Sequence, residues 1–443
     1  MTTLLLVGVV AAVPIGLDEV RAAALLNTEA LEAELESRRA TENVTVARSA
    51  VRPKVTLEAG SSATVYGPRR ELDLVPDPNA SGGFRQQLVN VDESTTTGSF
   101  SLQLQVSQLL YDGGRWWNQI AQAGAQEEAA AGQAAEQQLA SELEAVRRYY
   151  ELYRAQKTRE VLDALVQRST IQLERARALF DAGRGAKRDA IDAEVNLGND
   201  RISVLRQGQR VAAAQVDLAV WIARGGAEPL EAKDPGTLDA PLLPAPSLDE
   251  ALAAARHHRP LLKVVARQLE AARRAVEIAS AGYFPRLSVF GTYGRRSPSP
   301  EPFFSYPDRQ NSVSGGLNLS WELFSGFSTS AQTRSAEHAR SSATLSAEQA
   351  ERELEGEVRR ALETLRAQAA IADIALKNRT LAVSGLSLAE ERFQAGASST
   401  LEVRDAQLKL AQAELSALES RIDVEIARAA LHRVTGGMTE VKP

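Results

Sequence analysis

The sequence predicts a mainly α chain with a membrane β-barrel part. It is built as two internal repeats, each giving two transmembrane β-strands and long coiled-coil helices. Three observations predict this. Segments recur at near-constant offsets between the two halves of the 443 residues. Each half holds two alternating runs of about 10 residues, the length of a tilted membrane strand. Proline-free, alanine-rich stretches far longer than an ordinary globular helix join these runs.

The composition agrees. Aromatics make up 5% of the chain and the apolar share leans on Ala and Leu, which favours long helices packed through small side chains. The net charge of −6 is mild and interspersed, unlike the basic face of a nucleic-acid binder, so no nucleic-acid partner is expected. There is no cysteine, which excludes disulfides, thiolate metal sites and a lipidated N-terminal Cys. The opening MTTLLLVGVVAAVPIG is apolar but has no Lys or Arg before Leu4, so residues 1–16 read as an incomplete signal peptide or an N-terminal segment. No later stretch offers the roughly 18 uncharged apolar residues of a spanning helix. Any membrane crossing must therefore be made by strands.

The repeat sets the boundaries. LDEVRAAALLNTEAL at Leu17 answers LDEALAAARHHRPLL at Leu248, and Pro53 answers Pro285. Tyr111 of LYDGG answers Phe324 of LFSGF, and Phe180 of LFDAGRG answers Phe393 of RFQAGAS, both at an offset of 213. The length difference thus falls between the prolines and the aromatics, where a loop tolerates it. The first repeat is expected over 17–223, a linker at mid-height over 224–246, the second repeat over 247–435 and a tail over 436–443.

Strands are expected at about 54–66, 99–111, 286–294 and 312–324. Val55, Leu57, Ala63 and Val65 alternate with Lys54, Thr56, Ser62 and Thr64. Val313, Leu317, Leu319, Trp321 and Leu323 do so with Ser314, Asn318 and Glu322, while Phe290 breaks the third run. A water-soluble sheet with one buried face alternates in the same way. Three features favour a membrane. No other apolar face is available to cover the strands. The intervening loops, Gly67 to Gly98 and Gly294 to Ser312, are long and polar. Aromatics gather where strands meet helices: Tyr111, Trp116, Trp117, Tyr283, Phe284, Trp321, Phe324 and Phe327. Four strands cannot close a barrel and open edges are not tolerated in lipid, so several chains must share one barrel.

The helices follow. From about Arg115 to Leu179 there is no proline, and 65 or so helical residues would reach roughly 100 Å. Leu139, Leu143, Val146, Tyr150 and Tyr153 keep coiled-coil spacing, and Leu401, Leu408, Leu415 and Ile422 recur every seven residues. Each hairpin turns at a glycine motif, near 180–188 and 393–400. Gly183 and Gly396 suit a left-handed helix end, and Asp189 and Glu402 suit the first turn of the returning helix.

These motifs in this order resemble the TolC-type outer-membrane efflux proteins, from about Leu17 to Gly437. The resemblance implies a trimer sharing one 12-stranded barrel and a periplasmic α-helical tunnel. It implies a chain resident in the outer membrane of a Gram-negative bacterium, in contact with its lipid and reaching far into the periplasm. Such a duct passively exports substrates with a periplasmic adaptor (membrane fusion) protein and an inner-membrane pump of RND or ABC type, in efflux or type I secretion. By motif position Glu402 and Asp405, with Asp189 and Asp192, would narrow the periplasmic entrance. Phe180, Gly183, Arg184, Phe393, Gly396 and Ser398 would form the adaptor-docking tips, and the aromatics above the membrane interface. Glu402 and Asp405 are three apart and share a helix face, so threefold symmetry would make them a cation-attracting ring; plain helix-start acidity is the alternative for Glu402 and Asp189. Phe393 and Ser398 stand where the best-known member carries a Tyr and an Arg that lock the entrance. A latch from Arg184, Lys187 or Arg188 is another way to hold it shut.

Two rival classes remain. The four histidines, His257, His258, His338 and His432, have no metal-site spacing and no nucleophile motif accompanies them, so neither catalysis nor a metal or cofactor is expected. A periplasmic coiled-coil adaptor or structural protein without a pore would explain the helices and leave the strand pairs idle.

Overall fold

The computed structural model describes residues 12–224, 229–236, 240–299 and 311–437. Residues up to 11 of the expected incomplete signal peptide or N-terminal segment, most of the C-terminal tail, and parts of the linker and the second outer loop lie outside the described residues. The chain forms two compact units. One holds the chain up to Thr41 with Ala125–Leu269 and Ser342 onward; the other holds Glu42–Gly124 and Glu270–Ser341.

The first repeat runs β1 (Val13–Ile15), α1 (Leu17–Ala24), α2 (Thr28–Ser49), β2 (Lys54–Tyr66), β3 (Arg69–Pro76), β4 (Phe84–Val91), β5 (Thr95–Tyr111), α3 (Arg115–Asp181) and α4 (Lys187–Trp221). After β6 (Leu230–Ala232) the second runs α5 (Leu248–His258), α6 (Pro260–Ser280), β7 (Arg286–Ser297), β8 (Asn311–Ser320), α7 (Ser328–Gln394) and α8 (Thr400–Val434). Among the described residues no helix is long and apolar enough to cross a membrane.

The strand unit is an antiparallel sheet in the order β2-β5-β7-β8. Its register puts like beside like. Leu57, Leu104, Tyr293 and Val313 form one row across all four strands, and Thr56, Gln105, Thr292 and Ser314 form the next. One face is therefore apolar and the other is lined by hydroxyls and amides. Among the described residues nothing covers the apolar face: Leu57 is 66% exposed and Val313 82%. Phe290, the exception on the polar face, lies against Gly316, where a Cβ would stand 3.3 Å from its ring. A bulge between Leu109 and Tyr111 sets Tyr111 opposite Leu287 on the apolar side. Among the described residues β2 and β8 are the sheet's two unpaired edges.

Three boundaries differ from expectation. β5 starts at Thr95, β7 runs on to Ser297, and β8 stops at Ser320 instead of continuing to 324. There the Trp321 indole donates to the Tyr283 carbonyl at 3.1 Å, and Gly326 (φ 59°) and Phe327 (φ 67°) turn the chain into α7. The stretch Gly67 to Gly98, read as a loop, holds the hairpin β3–β4, with Leu72 opposite Leu88. Its apolar residues are thinned by Arg, Glu, Asp and Gln, which hid the alternation.

In the helical unit neighbours pack in the order α4, α3, α8, α7. Leu173 and Ala176 of α3 meet Ala193 and Leu197 of α4. Tyr149, Leu152 and Tyr153 of α3 share a core with Ile422 of α8 and Leu218 of α4. Leu362, Leu365 and Ala372 of α7 meet Val424, Ala427 and Leu431 of α8. Ile15 is fully buried, and β1 pairs in parallel with β6 from the linker. Burial pushes the Tyr149 phenol up, and its hydroxyl donates to the Lys233 carbonyl at 2.6 Å.

The seam of α8 is corrected at its start: Leu401 is 76% exposed and Leu408 45%, whereas Val403, Gln407, Leu410 and Ala417 are buried, as are Ala411 and Ile422 of the expected seam. The buried stripe keeps the 4-3 spacing, but the polar Gln407 interrupts it and made the exposed leucines look like the better seam.

All four hairpin-helix ends close alike. Each places a left-handed residue after the helix and a backbone bond that spans five residues: Arg184 to Leu179, Arg224 to Ala219, Ala397 to Arg392 and Gly437 to His432. The left-handed residues are Gly183, Ala223, Gly396 and Gly436. Ala223 is the one that is not glycine.

Candidate functional site

The residues singled out for the entrance lie around the two helical turns. In the first, Gly183 takes φ 69° and Gly185 passes so close to Leu179 that a Cβ would stand 3.1 Å from that side chain. Phe180 is 41% exposed. In the second, Gly396 takes φ 73°, and Ser399 caps α8 by accepting the Glu402 amide at 3.3 Å. Phe393 is half-buried under the Arg175 guanidinium, 5.8 Å from the ring centre.

The structure separates the four carboxylates. Asp189 and Asp192 line one small cavity of about 80 Å³ with Thr400, Leu401, Arg404 and Gln407 of the other hairpin. Glu402 turns back on its own turn, held by Arg392 at 2.8 Å and by the Ser398 hydroxyl at 2.8 Å. Asp405 pairs with Lys409 at 2.7 Å, and Asp192 with Arg188 at 3.4 Å. Within one chain, then, Glu402 and Asp405 each have a cation beside them.

Sequence reasoning missed the group beneath. Arg404 of α8 reaches both oxygens of Asp200 of α4, at 2.7 and 2.9 Å, and Ser169 of α3 at 2.9 Å. Ser169 also donates to Asp200. Asp200 and Ser169 are buried and Arg404 nearly so. Gln407, beside them, is buried with its Oε1 lacking a partner. The available signal was an arginine and a glutamine on the faces of a helix that otherwise packs with Val403, Leu410 and Ala417.

In the strand unit the aromatics expected at the interface cluster. Tyr111 stands 6.3 Å from Trp117, Trp116 stands 5.0 Å from Trp117, and Phe324 stands 5.5 Å from Phe327. Gly113 (φ 73°) packs so tightly on Phe284 and the Ala281 carbonyl that a Cβ would stand within 2.6 to 2.7 Å of both. Asp112 accepts the Trp116 amide at 3.2 Å, fixing the strand-to-helix switch.

The sequence matches the model of a family described as outer membrane efflux protein, over residues 69–224 and 251–437. It is 26% identical over 447 residues to outer membrane efflux protein BepC of Brucella suis, covering 98% of this chain and 89% of that one. It is 32% identical over 169 residues to alkaline protease secretion protein AprF of Pseudomonas aeruginosa, covering 36% of this chain and 33% of that one. The fold is that of the Campylobacter jejuni CmeC outer membrane channel: TM-score 0.78 at 15% identity, over 95% of this chain and 85% of CmeC.

Proposed function

The chain belongs to the outer membrane efflux protein family, and we propose that three copies form the exit duct of a tripartite efflux or type I secretion system. The protein is an outer-membrane channel of a Gram-negative bacterium and not an enzyme. In the proposed assembly cargo passes passively from a periplasmic entrance to the outside. A periplasmic adaptor and an inner-membrane pump, of RND or ABC type, supply selection and energy.

One observation carries the assembly: both layers end in unsatisfied edges. The sheet leaves β2 and β8 unpaired. The helix layer ends at α4 and α7, and each carries an exposed apolar stripe. Val195, Ile202, Leu205 and Val216 form it on α4, and Ile374, Leu381 and Leu388, spaced by seven, form it on α7. Edge to edge, β8 of one copy would meet β2 of the next, and α7 would meet α4. Three copies give twelve strands and leave no edge in lipid. The hydroxyl- and amide-lined face then surrounds the pore, and the aromatic clusters at Tyr111–Trp117 and Tyr283–Phe327 lie at the membrane interface.

The turns are proposed as the docking end, with Phe180, Gly183, Arg184, Phe393, Gly396 and Ser398 at the tips. Glu402 and Asp405, with Asp189 and Asp192, are proposed as the acidic entrance. Conductance of the purified protein in a planar bilayer tests the reading, with a trivalent cation titrated on the turn side. Discrete cation-selective openings, blocked in wild type but not in Glu402→Gln/Asp405→Asn, are expected. Unchanged block would move the constriction elsewhere, and a folded oligomer with no conductance would overturn the channel.

A further inference from the structure

The two turns share one backbone but not one charge. From Asp181 to Arg188 the first carries Arg184, Lys187 and Arg188 against Asp181 alone, whereas the matching stretch from Gln394 to Leu401 has no charged residue. The three cations are exposed. Among the described residues Arg184 and Lys187 enter no ion pair, and Arg188 stays 87% exposed while it reaches Asp192. Within six residues of its glycine the first turn is flanked by Arg177 and Asp189, and the second by Glu390, Glu391, Arg392 and Glu402, with Arg392 engaged by Glu402.

The turns also differ in their rings. The first carries an exposed one, Phe180, among its cations, while Phe393 of the second is partly covered by Arg175.

We infer that the first turn selects the periplasmic partner, and that it takes an acidic segment: the tip of a partner's helical hairpin bearing Asp or Glu. This rests on the reading of the turns as the docking end. Exposed cations on this tip attract such a segment before contact, and the forked guanidinium groups of Arg184 and Arg188 match carboxylates geometrically. An apolar side chain beside those carboxylates packs on Phe180. The neutral second turn, with its acidic flanks, repels the same segment, so the two tips of one chain differ in what they accept.

Ala182 and Ala395 occupy equivalent places in the two turns and are exposed. The test inserts a photo-crosslinking residue at one or the other in cells and maps the joined peptide by mass spectrometry. It is repeated with Arg184→Glu/Arg188→Glu, and with the milder Arg184→Gln/Lys187→Gln in case reversal prevents assembly. Retention of the heat-stable oligomer checks folding. The expected result is a cross-link from position 182 into a net-acidic helical segment of a periplasmic protein, about tenfold stronger than from position 395. It should fall about tenfold in the charge variants. A neutral or basic peptide, equal yields from the two positions, or indifference to the charge changes would overturn the inference and leave the turns as the docking end. Cross-links only to lipid, to a second copy of the chain, or to no protein would overturn the reading of the turns themselves.

Discussion

Arg404 and Asp200 join the two hairpins: the guanidinium of α8 grips both oxygens of the α4 carboxylate, at 2.7 and 2.9 Å, beside Ser169 of α3. The pair is nearly buried, so removing one partner leaves an uncompensated charge at a cost of about 3–5 kcal/mol. Arg404→Met should lower the melting temperature of the purified oligomer and raise its open probability in a bilayer. Arg404→Met/Asp200→Asn removes both charges, so it should recover most of the stability and stay more open than wild type. A double variant as quiet as wild type would make the pair a structural tie only.

Glu402 faces Arg392 and Ser398, not open space. A cation entering the proposed ring therefore competes with Arg392 for each Glu402. Arg392→Gln should free the carboxylate and tighten block by a trivalent cation, whereas Lys409→Gln should do the same through Asp405. Each is expected to lower the half-blocking concentration by about twofold to fivefold, the scale of a partly exposed ion pair. Block titrations on single channels would show it, and no change in either variant would place the binding carboxylates elsewhere.

Ala223 sits at φ 54°, where its repeat counterpart Gly436 sits at 77°. A side chain costs about 1–2 kcal/mol in this region, partly offset by the stiffer unfolded chain. Ala223→Gly should thus stabilise the protein by about 0.5–1 kcal/mol. Gly436→Ala should do the reverse more strongly, because its Cβ would lie 2.6 Å from the Arg259 amide nitrogen and from the His258 carbonyl carbon. Melting curves of the two variants against wild type would give opposite signs.

That asymmetry shows what the sequence could reveal. Turns built on glycine at 183 and 396 were legible, because few other residues take that backbone. The equivalent end at Ala223 was not, since alanine announces a helix and not its stop. The alternating strands were legible where one face was clean, and β3–β4 was not, where charges thinned both faces. The Arg404–Asp200 pair, 204 positions apart in the chain, was invisible because it depends on how α8 lies against α3 and α4. Local pattern names elements; only packing brings such partners together.

Burial holds the Glu425 carboxyl above its usual range, although Arg428 at 2.9 Å and Arg421 pull it down. The folded chain therefore binds this proton more tightly than the unfolded chain does. Its contribution to stability is fully present below the unfolded pKa and is lost as pH rises through the folded one. Glu425→Gln should thus melt at or above the wild-type temperature at pH 7.5. The gain that wild type draws from this group on acidification to pH 5 should be missing in the variant. Parallel melts at the two pH values, compared as a difference of differences, isolate the group from the rest of the titration.

Leu104 and Gln105 are adjacent in β5 but belong to opposite faces, Leu104 in the row with Leu57, Tyr293 and Val313, and Gln105 in the row with Thr56, Thr292 and Ser314. If the apolar face meets lipid, an arginine there costs about 2–4 kcal/mol at mid-membrane, and in a trimer the cost arises three times. Leu104→Arg should therefore leave little heat-stable oligomer in the outer membrane. Gln105→Arg points the same charge into the water-filled pore, so the oligomer should assemble in near-normal amount, with cation conductance reduced by three added positive charges. A soluble sheet with its apolar face covered by protein would also reject Leu104→Arg, but it would show no conductance for Gln105→Arg to alter. The paired variants thus separate a lipid-facing barrel from any other use of the same alternation.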